Sequence, residues 1–146
     1  MPLRGRASNA MWSALPMATL LLLIGIERAH AETFDGTWSV MQICEKTSEG
    51  ALGYTWRYDA DVKNGRFVGQ YRNKGQVPSM TLDGQIQADG SATLRAQGIS
   101  ADAEHNIKFA PAQTPISFQV VAKFDGNKGN GSRVAGRVCK FTFSKH

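Results

Sequence analysis

Histidine and cysteine are scarce in this chain, with three of the first and two of the second among 146 residues. So little imidazole and thiol excludes a Cys-rich zinc module and leaves few starting points for a His-based catalytic relay or metal cluster. The apolar run Ala18 to Ile26 covers nine residues, well short of the roughly 20 that a membrane-spanning helix needs. The Gly-rich stretch "GNKGNG", Gly126 to Gly131, lacks the strand-to-helix setting and the Lys-Ser/Thr ending of a phosphate loop, and reads as a hairpin. No cofactor-binding motif is present, and neither a cofactor nor a metal is expected.

What is there begins with a leader. Arg4 and Arg6 precede the apolar run, and Ala29-His30-Ala31 follows it, which is the layout of a secretory signal peptide cleaved after Ala31. Removing residues 1–31 from 146 leaves 115, enough for one domain, residues 32–146, and too few for two. The expected product is an exported, periplasmic or secreted, soluble protein. Both cysteines, Cys44 and Cys139, fall in this mature part, and in an oxidising compartment an even count reads as a disulfide.

Without Arg4, Arg6, Arg28 and Glu27, the 17 basic and 12 acidic side chains become 14 and 11. The excess is uneven: Lys108, Lys123, Lys128, Arg133, Arg137, Lys140 and Lys145 follow residue 105, with Asp125 as the one acid there. Such a basic C-terminal part suits a membrane surface or an acidic partner, although an ordinary solvated face is the favoured reading. The modest net charge and the lack of a recognised motif argue against nucleic acid.

The pattern is almost wholly β. From Tyr54, the residues Tyr54, Trp56, Tyr58, Ala60 and Val62 alternate with polar ones, the period of two of a half-buried strand. Asn64-Gly65 then supplies a two-residue hairpin turn that sets Val62 against Phe67, Ala60 against Gly69 and Tyr58 against Tyr71. In "MTLDGQIQADGSATLRAQG" a two-residue Asp89-Gly90 turn would place apolar residues opposite polar ones. A three-residue loop, Ala88 to Gly90 with Gly90 left-handed, instead opposes Ile86 to Ala92 and Leu82 to Ala96. Two further strands are expected at Pro115–Phe124 and Ser132–Phe143, separated by a turn at "DGNKGNG". Between Ile99 and Thr114 the "ADAEH" run fits a helical turn and "NIKFA" a short strand.

About seven or eight such strands joined by tight turns predict an all-β fold, a small antiparallel up-and-down β-barrel, with a β-sandwich as the alternative. Glycines 69, 84, 98 and 136 within strand patterns suit the sharp coiling of a barrel. Cysteines in the first and last strands can bond if those strands meet at closure.

"FDGTWSV", Phe34 to Val40, resembles the opening of lipocalin-like and avidin-like barrels. Together with Cys44, the run Trp56 to Gly65 and Cys139, it also resembles small exported proteins of alphaproteobacteria that start the same way, a group to which no activity attaches. The avidin likeness would imply biotin binding, but such sites use several Trp side chains and the mature chain has only Trp38 and Trp56. Trp38, in phase with Val40 and Cys44, is expected to close the barrel floor.

Chemistry is sparse. His105, beside Asp102 and Glu104, lacks further ligands of fixed geometry; Asp59 and Asp61 sit among Arg57, Lys63, Arg66 and Arg72, where cross-strand charge pairs explain them. No catalytic residue is assigned. The aromatic residues Trp56, Tyr58 and Tyr71 share one face and either fill the barrel or line a mouth that holds a small apolar or planar ligand. The expectation is a non-enzymatic binding protein with these three residues as its site. The alternative is a protein-interaction module, an envelope component or inhibitor, that uses the loops Thr47 to Gly53, Asn73 to Ser79 or Ile99 to Thr114 on a packed barrel.

Overall fold

The computed structural model describes residues 34–146; the leader and its cleavage site lie outside the described residues. The chain forms β1 (Gly36–Cys44), β2 (Tyr54–Lys63), β3 (Arg66–Tyr71), β4 (Ser79–Gln85), β5 (Ser91–Ile99), β6 (Pro115–Asp125), β7 (Lys128–Arg133) and β8 (Cys139–Lys145). These close in sequence order into one eight-stranded antiparallel barrel, the up-and-down arrangement and not the sandwich. Closure pairs β1 with β8 from Trp38↔Lys145 to Cys44↔Cys139, and the last pair carries the disulfide, with Cα atoms 4.0 Å apart.

Local chemistry sets the registers. Asn64-Gly65 pairs Lys63 with Arg66 and Val62 with Phe67. Asp35 holds this turn from below: its carboxylate accepts the Asn64 and Gly65 N–H groups at 2.7 and 3.0 Å. The β4–β5 connection is the three-residue loop, with Ile86 opposite Ala92 and the Gln87 N–H on Ser91 O at 2.8 Å. Gly90 turns there at φ 84°, where a Cβ would fall 2.1 Å from Phe124 O, so a side chain is excluded twice over.

The Gly-rich segment corrects the sequence reading. The turn is only Gly126-Asn127, between paired Asp125 and Lys128, and residues 128–133 form strand β7. Glycine serves packing at this place: a Cβ on Gly129 would lie 2.8 Å from the Phe124 ring. The strand expected over Ser132–Phe143 is accordingly two, β7 ending at Arg133 and β8 starting at Cys139, and Gly136 belongs to the loop between them. "ADAEH" does contain a turn of 3₁₀ helix, Ala103–His105, but "NIKFA" is a second one, Ile107–Phe109, and not a strand.

The two ends of the barrel differ. At one end lie the tight turns 64–65, 86–90 and 126–127; at the other lie the long connections 45–53, 72–78, 100–114 and 134–138. The tight-turn end is solid. Trp38 is fully buried, donates its indole N–H to Phe34 O at 2.8 Å and meets Phe124 edge-on at 5.3 Å. Phe67, Phe124 and Phe143 fill the centre with ring separations of 4.8 to 5.9 Å. Trp38 is thus the floor.

Candidate functional site

The aromatic residues of β2 stand at the opposite end. Tyr54, Trp56 and Tyr58 alternate inward, and Trp56 lies parallel to Tyr71 with centroids 4.3 Å apart. Tyr54 meets Trp56 at 4.6 Å with its plane tilted by 35°, so the three rings form one aromatic cluster. Below them Gln42, fully buried, accepts the Tyr58 hydroxyl at 3.4 Å and points its amide nitrogen at Cys44 Sγ. This polar residue marks where the solid interior stops.

Above that level the segment 100–114 crosses the mouth as a strap. The Asn106 amide nitrogen lies 2.8 to 3.3 Å from Ser100 Oγ and from the carbonyls of Ala101, Ala110 and Pro111, tying the strap to itself. Lys108, Phe109 and Gln113 adopt left-handed backbone at φ 52°, 53° and 67°, a conformation costly for residues with side chains that is held here by the surrounding bonds. Leu52 N–H on Glu104 O, at 2.8 Å, fixes the strap to the β1–β2 loop.

Between strap and barrel lies a cavity of about 260 Å³, walled by Tyr54, Trp56 and Ile116 on the barrel side and by Ser100, Asn106 and Ile107 on the strap side. Two guanidinium groups, of Arg133 and Arg137, complete it. Two other depressions, of about 510 and 410 Å³ and with more polar linings, lie along the outer faces of β3–β5 and of β1, β2 and β8. Of the three residues expected to form the site, Trp56 lines the cavity, whereas Tyr71 stacks on the Trp56 ring and Tyr58 packs against Tyr71, both outside the lining. Tyr54, in phase with Trp56, joins the lining in their place.

Both arginines point inward, which a barrel interior tolerates only with partners. Arg137, only 6% exposed, sends Nε to Glu45 O, one terminal nitrogen to His105 O and the other to Leu52 O and Ala51 O, at 2.6 to 3.4 Å. It also sits 5.1 Å from the Tyr54 ring centroid. Arg133 lies flat over Phe118 at 4.2 Å and gives Nε to Ala135 O at 2.7 Å. Among the described residues no carboxylate comes within ion-pair distance of either guanidinium. Burial lowers the Arg133 pKa from its ordinary value, Tyr54 opposes that shift, and the neighbouring Arg137 charge adds to it.

His105 lines the same cavity, but its imidazole faces Glu104 at 3.7 Å, and the Ser100 hydroxyl is engaged by Pro111 O and Asn106. Asp59 and Asp61 are exposed on the outer face of β2, as expected, though Arg66 pairs with Asp83 of β4 instead of with them. The seven late basic residues do not form one face. Lys108 is on the strap, Lys123, Lys128 and Lys140 are exposed on strands, Lys145 ends β8 at the tight-turn end, and Arg133 and Arg137 turn into the mouth.

Desolvation raises the pKa of Tyr54 and, more strongly, of Tyr58 above the ordinary value of 10.0. The folded state therefore keeps protons that the unfolded chain gives up above pH 10, and the stability they contribute is complete below that pH and lost as pH rises through the raised values. Urea midpoints are expected to be flat with respect to these groups from pH 8 to 9.5 and to fall from about pH 10 upward. Phenolate absorbance of Tyr54 and Tyr58 should appear together with unfolding; smooth titration of these two tyrosines near pH 10 in the folded protein would contradict the burial.

Comparison with protein-family models, with curated proteins and with solved structures finds no match to this chain.

Proposed function

We propose that the protein is a non-enzymatic carrier or sensor that holds one small, planar or apolar molecule at the barrel mouth. The observation that carries this reading is the cavity of about 260 Å³ beneath the strap, faced by the aromatic rings of Tyr54 and Trp56. An eight-stranded barrel has room for side chains or for one small ligand, and here the aromatic floor takes the lower part and leaves the mouth. The volume is just under the usual range for drug-sized ligands, about 300–1,000 Å³, so the occupant is smaller than those. The cross-strand disulfide is compatible with an oxidising compartment, and export by the leader belongs to the same proposal.

Native mass spectrometry of protein purified from its own host tests this. A bound small molecule that disappears in Trp56→Ala, with the barrel signal in circular dichroism retained, is the expected result. Protein that carries no small molecule from its host and takes up none from a host extract would overturn it.

A protein partner is the second reading, and one observation favours it. Among the described residues, five of the eight exposed large hydrophobic ones, Leu52, Val77, Phe109, Val134 and Val138, lie on the long connections around the mouth. Such grouping is the usual mark of a contact surface.

A further inference from the structure

We propose that the mouth selects anions: its ligand is a small planar molecule bearing a carboxylate or phosphate, held by the Arg133 guanidinium with Arg137 behind it. This deepens the binding reading above and rests on it. The placement of charge is the reason. Among the described residues that line the cavity none is Asp or Glu, yet two are arginines.

The two arginines are prepared differently. Arg137 spends its N–H groups on four backbone carbonyls, which satisfies its hydrogen bonds but leaves its net positive charge uncancelled at the back of the cavity. Carbonyl dipoles orient and solvate a cation; they do not neutralise it. Arg133 is the group with capacity left. It is in phase with Gly129 and Gly131, both of which face inward, so β7 directs it into the barrel. The Phe118 ring fixes its plane and Ala135 O takes Nε, while its two terminal nitrogens meet no hydrogen-bond partner among the described residues.

A planar donor fork, held flat by an aromatic ring and backed by a second cation, is matched by an oxyanion that accepts two parallel N–H bonds. The same anion would relieve the repulsion between the two guanidiniums. Beside the fork, Ile116 and the Tyr54–Trp56 wall receive the flat apolar body of the ligand. Charge at one end and aromatic and aliphatic surface at the other define the class of molecule.

Isothermal titration of the folded protein with indole-3-acetate, phenyl phosphate and the uncharged indole-3-acetamide reads this directly. At least one anion is expected to bind tenfold or more tighter than the amide. Arg133→Gln should reduce that preference to about twofold or less, Arg133→Lys should keep part of it, and Arg95→Gln, exposed on β5, should leave it unchanged. If anions and amide bind alike and both are lost in Trp56→Ala, the anion proposal fails and the cavity reading stands. A preference that survives Arg133→Gln also sinks the proposal. If none of the three binds at millimolar concentration, both readings fall.

Discussion

Replacing Arg137 by methionine is expected to destabilise the protein by about 3–5 kcal/mol and to open the mouth. Methionine keeps much of the apolar stem and removes every N–H. The carbonyls of Glu45, Leu52 and His105 then lose a charged donor together, while Ala51 O keeps the Thr47 N–H at 3.0 Å. Each buried acceptor left without a partner costs about 1–3 kcal/mol, and water reaching the rim recovers part of the sum, which gives the stated range. The cation beside the Tyr54 ring is lost as well.

The effect reaches function because those carbonyls belong to two different connections, the β1–β2 loop and the strap, and Arg137 on the β7–β8 loop joins them. Without it the strap keeps the Leu52–Glu104 bond as its remaining tie to that loop. Urea titration should show the midpoint lowered by at least about 1 M, and amide exchange should accelerate first in residues 100–114. Arg137→Lys, with one point charge in place of a fork, should recover only part. A midpoint within experimental error of the parent would refute the latch.

The second large effect is expected at the seam. Cys44 and Cys139 are 95 residues apart in the chain and directly opposite in the β1–β8 ladder. Joining them constrains the unfolded chain by roughly 4–5 kcal/mol in the entropic account of disulfides, and the Cys44→Ala, Cys139→Ala double variant should lose about that much. The ladder from Trp38↔Lys145 upward remains, so the barrel is expected to close, with exchange protection falling most near Gln42 to Cys44 and Cys139 to Phe141. A loss below about 1 kcal/mol would mean that the seam is held by its hydrogen bonds alone. In the parent, alkylation should label two thiols only after reduction.

Much of the barrel was legible in the sequence because its signals are local. The alternation of Tyr54 to Val62 and the Asn64-Gly65 turn fix a register without reference to the rest of the chain. The Ala88–Gly90 loop follows from requiring Ile86 and Leu94 to face the same side. Strand β7 was not legible: "KGNGSR" has no apolar residue to reveal a period, since its inward positions are glycines that make room for Phe124 and Val120. Missing β7 also hid Arg133, whose phase is set only by Gly129 and Gly131. Arg137 escaped for a different reason. Its partners are backbone carbonyls, and no side-chain pattern announces them. The aromatic wall was found through Trp56, but its lining member Tyr54 stands at the strand's first position, where burial depends on the strap. Nothing local to "FDGTW" announces the role of Asp35, whose carboxylate holds the turn of the following hairpin.

The sorting of long connections to one end and tight turns to the other has a practical side. His146 bonds back to Thr37 O and Ser39 Oγ at the solid end, where Phe34 also sits. Whatever follows His146 therefore leaves from the base of the barrel, with the mouth facing away. The molecule can be displayed on a bead, an electrode or a cell surface in a single orientation. Its rim loops can be lengthened or randomised as a recognition surface at modest entropic cost, while the floor of Trp38, Phe67 and Phe124 stays untouched.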